Sequence, residues 1–265
     1  MTFWRPAETT ITKHRNPLFS LGSHVTPDAC LVFDYLHNCA LGTHKSFMAF
    51  LVWELVLVNA WLAPATDSAD IKMQWSVGRL RVELFAWYAS ERAHSRSRCQ
   101  AQDLTAAMFG TSASRACKLH GAETCDVFVF GGAMLDKHGA KLGDRYDDVR
   151  TAWRALNEFH TLVVSNPVII PDSDLQRFVD AARTAAQYML QFGIPPRPKL
   201  HAMLHLAMMA RRYGSPSLYA CWRDESLNKQ LKNIAAASHR IGWYQRTLHT
   251  LNVVLDPDRQ TRPRR

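Results

Sequence analysis

The stretch Ala29-Cys30-Leu31-Val32-Phe33-Asp34-Tyr35-Leu36-His37, followed by a turn at Gly42 and a long apolar segment, governs how the rest of the chain is read. Ala29 to Phe33 is a short, unbroken apolar run between turn signals, the pattern expected of a buried strand. Asp34 would then be held at the C-terminal end of that strand, at a sheet edge where ligands bind. Two simpler roles compete: Asp34 caps the turn that follows, or pairs with Lys45. Beyond the turn the sequence predicts a helix over 43–63. Phe47 to Ala63 is almost wholly apolar, with Glu54 and Asn59 as exceptions. A membrane span needs about 20 apolar residues, and an unpaired acid in lipid is costly. A buried core helix is therefore expected, and no membrane partner.

Working outward, residues 1–28 read as irregular, punctuated by Pro6, Pro17, Gly22 and Pro27. Pro64 closes the apolar helix. The next helix is expected over 70–92, burying Met73, Trp75, Val77, Leu80, Leu84 and Trp87. Residues 93–143 mix Ser, Arg, Gly and His with short apolar pieces. Among these, Val127 to Phe130 reads as a strand or a broken helix stopped by Gly131 and Gly132. Helical spacing then returns over 144–165. Pro171-Asp172-Ser173-Asp174 opens another helix, with a cap and acids in its first turn. Gly193 and three prolines end it. Further helices are expected over 199–213, 222–237 and 240–254, before a polar, basic tail.

The 265 residues carry 47% hydrophobic and 21% charged side chains, an ordinary globular balance, and a net charge of +9. All of that excess lies in residues 197–265, with 13 Lys/Arg against four Asp/Glu. A basic C-terminal third on a neutral body points to a polyanion partner. Arg211, Arg212, Lys229, Lys232 and Arg240 are the side chains expected to hold phosphates. None of the six cysteines forms a C-x-x-C pair, and no secretory signal opens the chain. Free thiols in a reducing compartment, nuclear or cytoplasmic, follow from that reading.

Two further groups carry possible chemistry. His201 and His205 lie four apart on one predicted helix face, a spacing that can clamp a metal, although zinc needs two more ligands. The same spacing fits any two polar positions on a half-buried helix. Glu225 falls in Trp222-Arg223-Asp224-Glu225-Ser226-Leu227-Asn228-Lys229. There it suits a helix N-terminus and an i,i+4 pair with Lys229 without any catalytic role.

Together these residues resemble something specific. Arg15-Asn16-Pro17-Leu18-Phe19, then Phe33-Asp34-Tyr35-Leu36-His37-Asn38 and Leu41-Gly42, look like the second-aspartate block of CACTA/Mirage/Chapaev-type transposases, a D-x-x-H followed by a Leu-Gly turn and a helix. The run Pro198-Lys199-Leu200-His201, His205, Gly214, Trp222, Glu225-Ser226 and Asn228-Lys229 resembles their final block. It is similar, too, to the end of the recombinase core of the V(D)J recombinase and its Transib relatives. The match covers about 30 residues near the start and 55 near the end.

The resemblance implies a mainly α chain with part of an RNase H-like core, one or a few strands near 29–34, and a large helical insertion. Its blocks would be 1–63 (second acid), 64–196 (insertion), 197–255 (basic block with the third acid) and 256–265 (disordered tail). Asp34 matches the second catalytic acid and Glu225 the third. Both would ligate Mg²⁺ or Mn²⁺, and His201 and His205 match the histidine half of a zinc site. Only 33 residues precede Asp34 and they do not read as three strands, so the first catalytic acid is expected to be missing. The cysteine pair that would complete the zinc site is absent from the pattern as well. Such enzymes hold two divalent ions roughly 3.5–4 Å apart, and two acids would hold them poorly. The expectation is a transposon-derived, DNA-binding remnant, inactive in strand cleavage as an isolated chain, with homodimer formation as an option. The rival is a non-enzymatic helical protein that binds protein or RNA.

Overall fold

A computed structural model describes residues 32–92, 101, 103–237 and 242–255. It divides into two compact units, Met1–Tyr219 and Ala220–Arg265. The larger unit holds α1 (Leu36–His44), α2 (Lys45–Leu57), α3 (Ala69–Arg92), α4 (Gly121–His138), α5 (Tyr146–Ser165), α6 (Asp172–Gln191) and α7 (Pro198–Tyr213). Short 3₁₀ turns lie at Ala106–Phe109 and Gly139–Arg145. The smaller unit contains α8 (Trp222–Ala237) and α9 (Trp243–Leu255), which pack on each other.

The chain is mainly α-helical, as composition and periodicity suggest. Among the described residues there is no sheet, only an isolated antiparallel bridge between Gly110 and Arg115. The expected strand is corrected accordingly. Residues 29–31 lie outside the described set, and Val32, Phe33 and Asp34 form no strand. Asp34 instead caps the helix that follows: its carboxylate accepts the backbone N–H groups of Leu36 at 3.1 Å and His37 at 2.9 Å. Those are donors that a helix N-terminus leaves unsatisfied.

The helix expected over 43–63 begins and ends earlier. Gly42 is not a turn; α1, wound as a π-helix, passes through it and runs straight into α2. At the other end, Asn59 and Leu62 adopt positive φ, and the Asn59 side chain accepts the Ala63 N–H at 2.7 Å. This tight turn stops the helix at Leu57, ahead of Pro64. Every residue from Phe47 to Val56 is buried, so α2 is the central helix, apolar on all sides. It packs against α1, α3 and α4, and the fully buried Trp53 donates its indole N–H to the Phe109 carbonyl at 2.8 Å.

A second layer closes around α1. Helix α5 packs on α6, α6 on α7, and α7 on α1, while α4 touches both α1 and α5. Facing apolar stripes drive this: Phe159 of α5 stacks on Phe178 of α6 at 4.3 Å, and Leu200, Met203 and Leu206 of α7 are buried. The larger unit therefore takes in α7, which the sequence reading groups with the basic C-terminal block. Of the side chains expected to be buried on α3, Met73, Val77, Leu80 and Leu84 are, whereas Trp87 is half-buried and Trp75 is 56% exposed.

Residues 127–130 are neither strand nor broken helix; α4 continues through Gly131 and Gly132. The glycines are there for contact. A Cβ on Gly132 would meet the Trp153 ring at 2.5 Å, and the Trp153 indole N–H donates to the Phe128 carbonyl one turn away. Gly132→Ala is expected to cost about 1–3 kcal/mol through overpacking. Gly78→Ala, on an exposed stretch of α3 with open space around it, should instead add about 0.5–1 kcal/mol from helix propensity. Opposite shifts of the urea midpoint check the pair.

Polar rings also lie inside this core. The Tyr35 hydroxyl bonds His160 Nδ1 at 2.5 Å, and His44 is fully buried. Burial lowers the His160 pKa to about 4, and burial followed by repulsion from His160 lowers that of His44 well below its usual value. Both rings are neutral when folded, whereas the unfolded chain protonates them below about pH 6.5. Stability is therefore complete above that pH and falls as pH drops toward 4. In chelator-containing buffer the loss between pH 7 and pH 5 should be roughly 2 kcal/mol from His160, and it should shrink in His160→Gln; unfolding curves at the two pH values measure it.

Candidate nucleic-acid interface

The two blocks singled out by motif, near residues 33–42 and 198–205, lie side by side in the larger unit. Lys199, in the first turn of α7, donates from Nζ to the Leu41 carbonyl of α1 at 3.1 Å. Its aliphatic stem lies over Gly42, where a Cβ would stand 2.8 Å from Lys199 Cδ. Glycine is needed at 42 for this approach of α7. At the other end of the contact, Phe33 stacks on His205 at 5.5 Å.

A cleft of about 1080 Å³ opens beside this junction. Lys45, Arg115, Arg145, Arg197 and Lys199 line it, and Glu54 is its one acid. Glu54 is itself buried and held by two of the cations: Arg115 Nη1 donates to Oε1 at 2.9 Å, and Arg145 Nη1 to Oε2. Arg145 also sits over the Phe50 ring, 5.6 Å from its centre, and Phe50 stacks on Phe192 at 4.7 Å. With Glu54 matched, the remaining cations face the cleft. Burial, with a smaller contribution from Lys199, lowers the Lys45 pKa below its ordinary value, against opposing effects of Cys117 and Glu123. A nearby anion would favour the charged form of Lys45, and phosphate oxygens fit such a lining of lysines and arginines.

The residues expected from sequence are distributed as follows. Asp34 is partly buried; besides the two backbone N–H groups, its carboxylate engages His37 Nδ1. Glu225 is exposed in the first turn of α8, in the smaller unit, where its own N–H donates to the Cys221 carbonyl at 2.9 Å. His201 and His205 do share a face of α7: their Nε2 atoms are 2.7 Å apart and the rings meet edge-on at 4.4 Å. Burial and His201 lower the His205 pKa. Among the described residues no third metal-type ligand joins this pair. Arg211 and Arg212 are exposed in the last turn of α7, with Arg212 over the Tyr213 ring at 5.2 Å. Lys229 and Lys232 are exposed on α8, and Arg240 lies outside the described residues.

The cleft cations were not legible as a group. Lys45, Arg115 and Arg145 belong to the part of the chain whose charges cancel, so net charge by segment hides them. The one signal was Glu54, an acid inside an apolar helix that had to find a cationic partner. No protein-family model, curated protein or solved structure matches the chain.

Removing the Glu54 charge should expose how far the cleft depends on it. Glu54→Gln leaves Arg115 and Arg145 without their carboxylate and is expected to destabilise by about 1–3 kcal/mol. Arg115→Gln should cost less, because Arg145 remains on the same carboxylate. Chemical denaturation of the two variants orders them.

Proposed function

We propose that this chain is a transposon-derived DNA-binding protein, a remnant of a DDE-type transposase that does not cleave strands on its own. The observation that carries the reading is the cleft with five basic side chains beside the contact between the Asp34 block and the two-histidine helix. Sequence blocks roughly 160 residues apart, picked out for one resemblance, meet there at Lys199 and Leu41. The Asp34–His37 contact gives the D-x-x-H spacing a physical basis, since the histidine turns back onto the acid three residues earlier. On this reading residues 29–34 and the helices behind them derive from an RNase H-like core. Asp34 and Glu225 are the surviving acids, carboxylates of the kind that takes Mg²⁺ or Mn²⁺. His201 and His205 are the relic of a zinc site. Lys45, Arg197 and Lys199 join Arg211 and Arg212 in holding phosphates, and Lys229, Lys232 and Arg240 add charge in the C-terminal part. A nuclear or cytoplasmic location fits this reading.

One observation favours the rival reading, a helical protein-interaction module. Ile71, Trp75, Val82 and Phe85 are all exposed on α3 at helical spacing, an apolar stripe of the kind that docks partners.

A mobility-shift titration with duplex DNA of arbitrary sequence separates the two. The expected result is weak, sequence-independent binding at low salt that falls steeply as salt rises. Combined Lys45→Ala, Arg197→Ala and Lys199→Ala should reduce the slope of log K against log salt by roughly 0.9 for each phosphate that the variant no longer neutralises. Absence of binding at the lowest salt, or binding indifferent to these three substitutions and to salt, would overturn the assignment of the cleft.

A further inference from the structure

Three groups able to bind a metal meet in the larger unit without lining the basic cleft: the imidazoles of His44 and His160 and the thiol of Cys125. They come from α1, α5 and α4, and their ligand atoms all lie within 4.8 Å of one another. His44 is wholly buried, and neither of its ring nitrogens has a hydrogen-bond partner. An imidazole offers a donor and an acceptor, and native cores seldom leave both unused. The ring is nevertheless held firmly, stacked on Phe128 at 4.3 Å and edge-on to His160 at 5.5 Å.

His160 is placed differently. Its Nδ1 is engaged with the Tyr35 hydroxyl at 2.5 Å, which leaves Nε2 as the nitrogen available to a ligand. That arrangement, one ring nitrogen fixed by an outer partner and the other free, is how metal-binding histidines are oriented. Cys125 and His160 each keep a small exposed surface, whereas His44 has none.

We propose that His44, His160 and Cys125 form a binding site for a thiophilic cation, Zn²⁺ or Cu⁺, with Tyr35 orienting His160. The donor set decides the class. Two imidazoles and one thiolate suit these soft or borderline ions and not Mg²⁺ or Mn²⁺, which take oxygen. Binding replaces the Cys125 thiol proton, which leaves to solvent, with the metal–sulfur bond. Metal–nitrogen and metal–sulfur bonds of about 2.0 and 2.3 Å require ligand atoms roughly 3.5 Å apart, so His160 and Cys125 would close in on the fixed His44 ring as the ion binds. Cu⁺ with one thiolate forms a neutral assembly suited to an apolar surround. Zn²⁺ retains a positive charge and requires a fourth ligand. This site is separate from the acids Asp34 and Glu225 and from His201 and His205, and it does not depend on DNA binding.

The test uses the full chain, stripped with chelator and then titrated with Co²⁺ as a spectroscopic stand-in for Zn²⁺ and, anaerobically, with Cu⁺ against a chromogenic competitor. The expected result is one equivalent bound, with a thiolate-to-Co²⁺ charge-transfer band. Cys125→Ser should abolish that band, and His44→Asn should weaken binding at least tenfold. The His201→Ala, His205→Ala double variant should bind as the parent does. Whichever cation saturates at the lower free concentration is the preferred one. Because core variants can fail to fold, X-ray absorption of the parent protein loaded with one equivalent of Zn²⁺ supplies an independent reading, with one sulfur in the first shell expected. No charge-transfer band together with no Cu⁺ uptake, a shell without sulfur, or abolished binding in the His201/His205 variant would each overturn the proposal.

Discussion

Burial of α2 on every side is the constraint from which the rest of the larger unit follows. A helix whose residues 47–56 are all buried needs neighbours all round it, and α1, α3 and α4 are those neighbours. It also carries Glu54, and an acid cannot enter a core unmatched without a heavy desolvation cost. Arg115 and Arg145 meet that demand from loop and turn positions on either side of α4. The same pairing draws two guanidinium groups to the rim of the helix layer. The cleft's basic character is thus partly a by-product of burying one carboxylate.

The other half of the cleft depends on close approach. Helix α7 reaches α1 because Gly42 has no side chain to hold it off, and Lys199 ties the two together through a backbone carbonyl. A similar device joins α4 to α5, where Trp153 lies against Gly131 and Gly132. In both places glycine sits inside a helix at some cost in local propensity, and the packing partner offsets that cost. These contacts bring α1, α4, α5 and α7 together, and with them both the basic cleft and the cluster of His44, Cys125 and His160.

The chemistry of these two places is different in kind. The cleft gathers hard, cationic groups near solvent, suited to phosphate. The inner cluster gathers neutral imidazoles and a thiol that burial holds protonated, its pKa pushed up to about 12. Only a strongly coordinating cation would convert that thiol to thiolate. Diffuse electrostatics belong to the first and directed coordination to the second, so one can be perturbed without the other.

Helical periodicity, end signals and the apolar run determined much by themselves. The spacing on α5 and α6, the Pro-Asp start of α6, the glycine and prolines that end it, and the central burial of 47–56 are all local properties, so one stretch of chain suffices to read them. The capping role of Asp34 was legible as one of its alternatives, and of the expected strand the described residues 32 and 33 form none. Apolar residues 29–33 satisfy a strand pattern, yet Val32 to Asp34 have no strand to pair with among the described residues, and the carboxylate caps a helix instead. Gly131 and Gly132 looked like a stop because their partner, Trp153, is 21 residues away. The cleft and the His44, Cys125, His160 cluster were decided by tertiary structure alone. Their members are scattered over more than 100 residues with no common spacing, and only packing brings them within a few ångströms.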